Sequence, residues 1–172
     1  AVPAAEEISL IFTAATKTFN IAGCHTGTTI IPNPKLRSIY DREHAAFGKT
    51  PNRFGMIMTE AAYSGGQEWL DQLMHYLEKN KSLFTNAMKS LNNVKVFDLE
   101  STYLAWVDFS QLDITELKLK DMLIKEAGVA PSFGSGFGKN SGKFARFNIA
   151  CRTEILDLAT VSYTHLRAHE TG

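Results

Sequence analysis

Lys17 is the residue whose position in this sequence most needs a chemical explanation. It stands between an apolar run, Leu10 to Phe12, and Gly23. The apolar run, with Ile8 before it, predicts a short buried strand. The lysine then lies where a strand end opens into a loop, which is a place that α/β folds favour for their sites. In a partly dry pocket an ammonium group loses hydration, and the neutral amine can attack an aldehyde to form a Schiff base.

A second charged residue in an apolar setting is Arg146, within the segment Lys-Phe-Ala-Arg-Phe-Asn-Ile-Ala-Cys that ends at Cys151. The segment alternates as a strand does, and it places Phe144, Arg146, Asn148 and Ala150 on one face. An arginine on such a face favours an anionic partner. The alternative is a surface or structural ion pair within the protein.

The elements that must position Lys17 follow it directly. Residues 26–31 are rich in β-branched side chains and stop at a proline turn, so two strands are expected to flank the lysine loop. Pro34 suits the first turn of a helix that runs to about Phe47. A shorter helix is predicted over residues 56–63, followed by a glycine pair at 65–66 that we interpret as a hinge. The predicted inner face of the first helix consists of Leu36, Ile39, Tyr40 and Phe47.

The elements around Arg146 begin with the longest periodic segment of the chain, residues 67–91, whose apolar stripe predicts a helix with a core face. Thr115 is a candidate cap for a helix that ends near Gly128. The glycine-rich stretch 133–142 is either a mobile substrate-side loop or a plain connection. The remaining predicted elements are strands at 94–97, 103–109 and 129–131 and a short last helix at 154–159.

Composition excludes several classes of function. The chain has 172 residues with 44% hydrophobic content, and 18 basic residues balance 18 acidic ones, so no net field favours nucleic acid or an anionic membrane. No run reaches the roughly 20 apolar residues of a membrane span and no leader opens the chain, so we expect a cytoplasmic protein. Cys24 and Cys151 lack metal-ligand spacing and are expected to be small buried groups.

The residues around Lys17 resemble a known family. Residues 16–23, Thr-Lys-Thr-Phe-Asn-Ile-Ala-Gly, resemble the lysine segment of fold-type I pyridoxal phosphate enzymes of the class I/II aminotransferase superfamily. From the lysine onward the segment is similar to the cystathionine β-lyase and cysteine-S-conjugate β-lyase branch. The resemblance extends to about residue 159 and is strongest again at residues 60–70, 103–108 and 144–151.

This resemblance implies a role for each candidate residue. Lys17 is the expected Schiff-base lysine for pyridoxal 5'-phosphate and the base that removes the substrate α-proton. Arg146 matches the arginine that grips the substrate α-carboxylate, for which two parallel hydrogen bonds from a planar guanidinium are suited. Thr16 and His25 are the expected additional cofactor-binding residues, with Thr16 offering a hydroxyl to the phosphate.

The chain departs from the family pattern at several places, one of which is Thr16, where serine is frequent. His25 stands eight residues after the lysine, where many aminotransferases carry a phosphate-binding arginine, and this favours the lyase branch. Ala14 replaces a serine and provides no hydroxyl. Arg152 follows the cysteine where proline is usual, so the turn into the last helix is expected to differ.

The resemblance implies an α/β fold comprising the C-terminal part of a fold-type I enzyme. Residues 1–65 are expected to be the end of the large cofactor domain, and 66–161 the linking helix and a small α+β domain. Residues 162–172 do not continue the pattern and are interpreted as a non-native tail. The expected function is that of a carbon–sulfur β-lyase acting on an amino acid as a homodimer. The alternatives are an aminotransferase, or a binding domain or fragment that is inactive by itself.

Overall fold

A computed structural model describes residues 3–48 and 50–166 of the chain. The structure divides into two compact units, Ala1–Leu73 and Met74–Gly172, and the division falls inside a long helix. The domain boundary predicted at residue 65 lies slightly before that helix begins, and it stays a prediction. No helix in the described part of the chain is long and apolar enough to cross a membrane.

The first unit contains a two-stranded antiparallel sheet of β1 (Ile11–Thr13) and β2 (Thr28–Ile30), in which Ile11 pairs with Ile30. Both strands were predicted, but the prediction that the first is buried is wrong. Ile11 is 49% exposed and Phe12 is 68% exposed. Two strands alone form a narrow ribbon, and the described residues of this unit leave these side chains largely exposed.

The first unit also contains the α-helices α1 (Ala15–Thr18), α2 (Pro34–Ala46) and α3 (Arg53–Gly65). The Asn33 side chain caps α2 by accepting hydrogen bonds from the backbone N–H groups of Lys35 and Leu36. Asn52 caps α3 in the same way, and α3 therefore begins three residues before the predicted start. The predicted inner face of α2 is partly wrong, since Ile39 and Phe47 are exposed while Leu36 and Tyr40 are half-buried.

Helix α4 (Gln67–Lys89) confirms the long helix predicted from periodicity. The second unit then forms a four-stranded antiparallel sheet in the order β3-β4-β6-β5. Its strands are β3 (Lys95–Val96), β4 (Leu104–Asp108), β5 (Ser132–Phe133) and β6 (Phe144–Asn148). The edge strand expected at 129–131 lies instead at β5, because the chain extends beside β6 only after Pro131.

Helix α5 (Glu116–Asp121) begins at the predicted cap, where Thr115 Oγ1 accepts a hydrogen bond from the Lys118 N–H at 3.2 Å. It continues as a wider π-helical turn, Met122–Glu126, and the chain leaves it through Gly128 at φ 68°. The last helix, α6 (Thr153–Leu166), is longer than the predicted 154–159. It enters the first residues of the predicted non-native tail, and residues 167–172 lie outside the described residues.

The core of the second unit lies between its sheet and helices α4, α5 and α6. Along β4 and β6 the side chains alternate between a buried inner face and a more exposed outer face, as the sequence of β6 predicted. The largest fully buried side chains belong to this core: Phe84, Met88, Val107, Phe109, Leu119, Leu123 and Ile149. Packing of α4 against this face therefore fixes the sheet that carries Arg146 on its other side.

Asn80 is a polar residue in this core, and it is fully buried on the apolar stripe of α4. Its Nδ2 donates to the carbonyl oxygens of Ile149 and Cys151, each at 2.9 Å. Its Oδ1 accepts from Thr153 Oγ1 at 2.8 Å. One side chain thus connects α4, the end of β6 and the start of α6.

Candidate functional site

Lys17 lies on α1, the one-turn helix that directly follows β1. Ala15 of the same helix is buried and fixes its position, whereas the Lys17 side chain is exposed. Within the described part of the chain the amine has no hydrogen-bond or ion-pair partner. The expected position at a strand end is confirmed, but the described residues do not enclose the amine in a dry pocket.

The segment around Lys17 is anchored through Phe19, two residues further along. The Phe19 ring stacks on Trp69 with centroids 5.6 Å apart and meets the Tyr63 ring edge-on at 6.2 Å. Gly66, between α3 and α4, lies so close that a β-carbon there would collide with the Phe19 ring and the Ala62 carbonyl. The predicted hinge glycine is therefore a close-packing position, and three aromatic rings hold the lysine turn in place.

The two other predicted cofactor residues lie in the same unit as Lys17. Thr16 is half-buried beside the lysine, and its carbonyl accepts a hydrogen bond from the Ile21 N–H at 3.0 Å. His25 is exposed and takes a left-handed conformation with φ 46° and ψ 42° at the end of the 3-10 turn Ala22–Cys24. Since α1 packs against this turn and against α3, both residues belong to the surroundings of the lysine segment.

Gly55 of α3 is a residue that the sequence reasoning missed. A β-carbon at this position would collide with the Thr26 hydroxyl and approach the Cys24 carbonyl at 2.8 Å. The absence of a side chain allows α3 to pack directly on the segment that contains His25. The available signal was an isolated glycine in the first turn of a helix, which often marks a close backbone approach.

The two cysteines are free and half-buried, so neither is as fully buried as expected. Cys24 Sγ contacts Met58 Sδ of α3 at 2.8 Å. Burial raises the pKa of the Cys151 thiol, and a hydrogen bond to the backbone partly opposes this. Among the described residues no group of His, Cys, Asp or Glu side chains is arranged to hold a metal ion.

Arg146 lies on the outer face of the sheet in the second unit, in register with Trp106 on β4 and Ser132 on β5. Its Nη2 donates a long hydrogen bond of 3.4 Å to Ser132 Oγ. Its guanidinium carbon lies 4.7 Å from the centroid of the Phe137 ring. In the described part of the chain no carboxylate is within ion-pair distance of Arg146, so its charge is not compensated by a protein anion.

Aromatic side chains surround this arginine. Trp106 stacks on Phe144 with centroids 5.7 Å apart and meets Phe137 edge-on at 5.4 Å. Most of the five guanidinium donors are thus left for an outside acceptor, and the flanking surface is aromatic. A planar anion such as a carboxylate matches this arrangement of donors.

Comparison with known proteins identifies relatives over most of the chain, although no protein-family model matches it. The chain is 33% identical over 147 residues to cystathionine beta-lyase PatB of Bacillus subtilis (strain 168), which covers 84% of the chain and 38% of that protein. It is 31% identical over 146 residues to protein MalY of Escherichia coli (strain K12). This match covers 82% of the chain and 37% of MalY.

Solved structures share the fold. Cystalysin from Treponema denticola, which contains a pyridoxal 5'-phosphate cofactor, matches with a TM-score of 0.87 and 26% identity over 96% of this chain and 43% of its own. The pyridoxal phosphate-bound C-S lyase from Staphylococcus hominis matches with a TM-score of 0.80 and 28% identity. The match covers 95% of this chain and 43% of the lyase chain. This chain thus spans about two fifths of the length of these proteins.

These similarities confirm the family and the fold class inferred from the lysine segment. The chain is a C-terminal portion of a fold-type I pyridoxal phosphate-dependent protein, and it resembles the cystathionine β-lyase and C–S lyase branch.

Proposed function

We propose that the full-length protein containing this chain is a carbon–sulfur β-lyase that releases a thiol, pyruvate and ammonia from cystathionine or another cysteine S-conjugate. The observation that carries the proposal is the exposed amine of Lys17, which has no partner among the described residues and lies on a turn that aromatic packing holds in place. The similarity to cystathionine beta-lyase PatB supports the choice of reaction.

The residues present fit the implied cofactor. An aldehyde requires a primary amine that is not engaged in an ion pair, and Lys17 provides one. Thr16 would contribute a hydroxyl to the phosphate, and His25 would lie near it. When bound, pyridoxal phosphate supplies an electron sink that stabilises negative charge at the substrate Cα.

Lys17 would have two tasks in this reaction. Its Nζ would hold the cofactor, and when it is free the same nitrogen would accept the proton from the substrate Cα as a general base. The rings around Phe19 hold the backbone of the lysine turn in place, which limits the positions that the amine can reach, and proton transfer requires a defined position.

Arg146 would bind the α-carboxylate of the amino acid substrate. Its donors are largely unused and no described carboxylate competes for its charge. Two parallel N–H···O bonds would fix the orientation of the substrate and would also increase its affinity. The homodimeric state implied by the family resemblance and the cytoplasmic location expected from the apolar pattern of the sequence are parts of the same proposal.

An aminotransferase is the second candidate function. It is supported by a TM-score of 0.84 and 32% identity to a pyridoxal phosphate-bound putative aminotransferase from Clostridium difficile 630. Both candidates need the same lysine and arginine. They differ in whether the thiolate leaves or the amino group is transferred to a keto acid.

The test uses the full-length protein and cystathionine, with pyruvate and thiol followed over time. We expect thiol release that Lys17→Ala abolishes and that Lys89→Ala, an exposed lysine on α4, leaves unchanged. Borohydride reduction should add the mass of the cofactor to the peptide that contains Lys17. Keto-acid-dependent amino transfer without thiol release would instead establish the aminotransferase.

We also propose that the isolated chain is catalytically inactive, because it spans about two fifths of the length of its curated relatives. The purified 172-residue chain should release no thiol from cystathionine at cofactor saturation. Release that depends on Lys17 would refute this expectation.

A further inference from the structure

The glycine-rich segment 134–142 carries one aromatic side chain, Phe137, and this ring lies against the arginine of the sheet. Phe137 is 51% exposed, so it is not part of the core. One face of the ring meets the Arg146 guanidinium at 4.7 Å, and the ring also meets Trp106 edge-on at 5.4 Å. A half-exposed phenylalanine with these two contacts calls for an explanation other than burial.

The ends of this segment are fixed, which determines where the Phe137 ring lies. The Phe144 N–H donates to the Ser141 carbonyl at 2.9 Å, and a β-carbon on Gly134 would collide with that same carbonyl. A β-carbon on Gly142 would lie 2.5 Å from Glu116 Oε2, so a side chain there would require the carboxylate to move. Both ends are therefore packed against their neighbours in the second unit.

The Glu116 carboxylate connects the segment to α5. Lys120 Nζ lies 2.6 Å from Glu116 Oε1, and hydrogen bonds from Lys120 and Ser135 lower the pKa of this carboxyl. Ser135 stands two residues before Phe137. The segment is therefore tied to α5 close to the ring that contacts the arginine.

The position of the Phe137 ring has a chemical consequence for the guanidinium. The guanidinium carbon lies over the face of the ring, which attracts the positive charge, and the ring has no oxygen acceptor, so the N–H donors remain available to a carboxylate. Ser132 engages one nitrogen through a long bond of 3.4 Å, which by itself constrains the arginine little. The ring restricts the rotation that a long side chain otherwise has.

We propose that Phe137 is a positioning residue that holds the Arg146 guanidinium in the orientation that receives the substrate α-carboxylate. The inference rests on the proposed function, since it assigns Phe137 a role through Arg146 in binding the amino acid. It also assigns the segment 134–142 to the substrate side of the second unit and not to a plain connection.

The test is a double-mutant cycle in the full-length holoenzyme, with kcat and KM measured for cystathionine. We expect Phe137→Met, which keeps the volume of the side chain but removes the π face, to raise KM about fivefold while kcat changes less than twofold. Phe137→Tyr keeps the face and should restore KM. Phe97→Leu is the matched control, because it removes a ring that lies 4.9 Å from Lys95 Nζ outside the site.

In the Arg146→Gln background the effect of Phe137→Met should disappear, because the ring then has no cation to orient. Equal effects of Phe137→Met in both backgrounds would overturn the inference and assign the ring to packing of the segment alone. If Arg146→Gln itself leaves KM unchanged, the carboxylate role in the proposed function fails instead. Should Phe137→Met not fold, failure of Phe137→Tyr to preserve the wild-type KM would overturn the inference.

Discussion

Replacement of Asn80 should destabilise the second unit more than its single side chain suggests. Two backbone carbonyls and one hydroxyl depend on its amide, and all three hydrogen bonds are 2.8–2.9 Å long. A typical intramolecular hydrogen bond contributes about 0.5–1.5 kcal/mol net, and an unsatisfied buried group costs about 1–3 kcal/mol. Because part of the network borders solvent near Cys151, water can replace some of the loss. We therefore expect Asn80→Ala to lower the free energy of unfolding by about 2–4 kcal/mol.

Two further variants separate the possible causes of this loss. Asn80→Leu keeps the branched shape and the number of side-chain heavy atoms and removes the polar contacts, so it should cost about as much as Asn80→Ala if hydrogen bonding dominates. Asn86→Ala changes an exposed asparagine on the same helix and should shift the free energy by less than about 0.5 kcal/mol.

Urea unfolding of the 172-residue chain provides the measurement, with Trp106 fluorescence followed in a Trp69→Phe background. With a slope near 2 kcal/mol per molar urea, the expected loss moves the midpoint down by about 1–2 M. If Asn80→Leu were as stable as the parent chain, the hydrogen-bond network would not hold the second unit together. A loss confined to Asn80→Ala would assign the effect to the cavity.

Two other predictions concern packing and ionisation. Gly55→Ala should destabilise the first unit by about 1–3 kcal/mol, because the new methyl group collides with the Thr26 side chain. Thermal unfolding followed by circular dichroism would detect this loss, and an unchanged melting temperature would contradict the close approach. Alkylation of Cys151 by iodoacetamide should require a higher pH in the folded chain than in urea, because burial raises the pKa of its thiol. Because the folded chain binds the thiol proton more tightly than the unfolded chain does, Cys151 contributes to the free energy of unfolding at pH values below its unfolded pKa. This contribution is lost as the pH rises through the folded pKa. Identical pH profiles with and without urea, read by mass spectrometry, would refute this.

Local sequence signals predicted most of the helices and strands. The period of 67–91 is sustained over six turns, and α4 follows it closely. The cap at Thr115 and the left-handed glycine at Gly128 also lie where the sequence placed them. Such signals work because caps, periodicity and glycine conformations depend on residues close together in the chain.

The chemistry-bearing residues were found partly from type and partly from resemblance. A lysine after an apolar strand suggested a reactive amine, and the family pattern added the cofactor. Arg146 followed from alternation, which the strand β6 confirms. The roles of both residues remain predictions.

By itself the sequence determined the order of the elements, the face of β6 that carries Arg146, and the family. Tertiary structure decided what those residues contact. It showed that β1 is exposed, that Asn80 connects segments about 70 residues apart, and that the Phe137 ring lies against the guanidinium. No local pattern encodes these features, because burial and side-chain partners arise only when distant segments pack together.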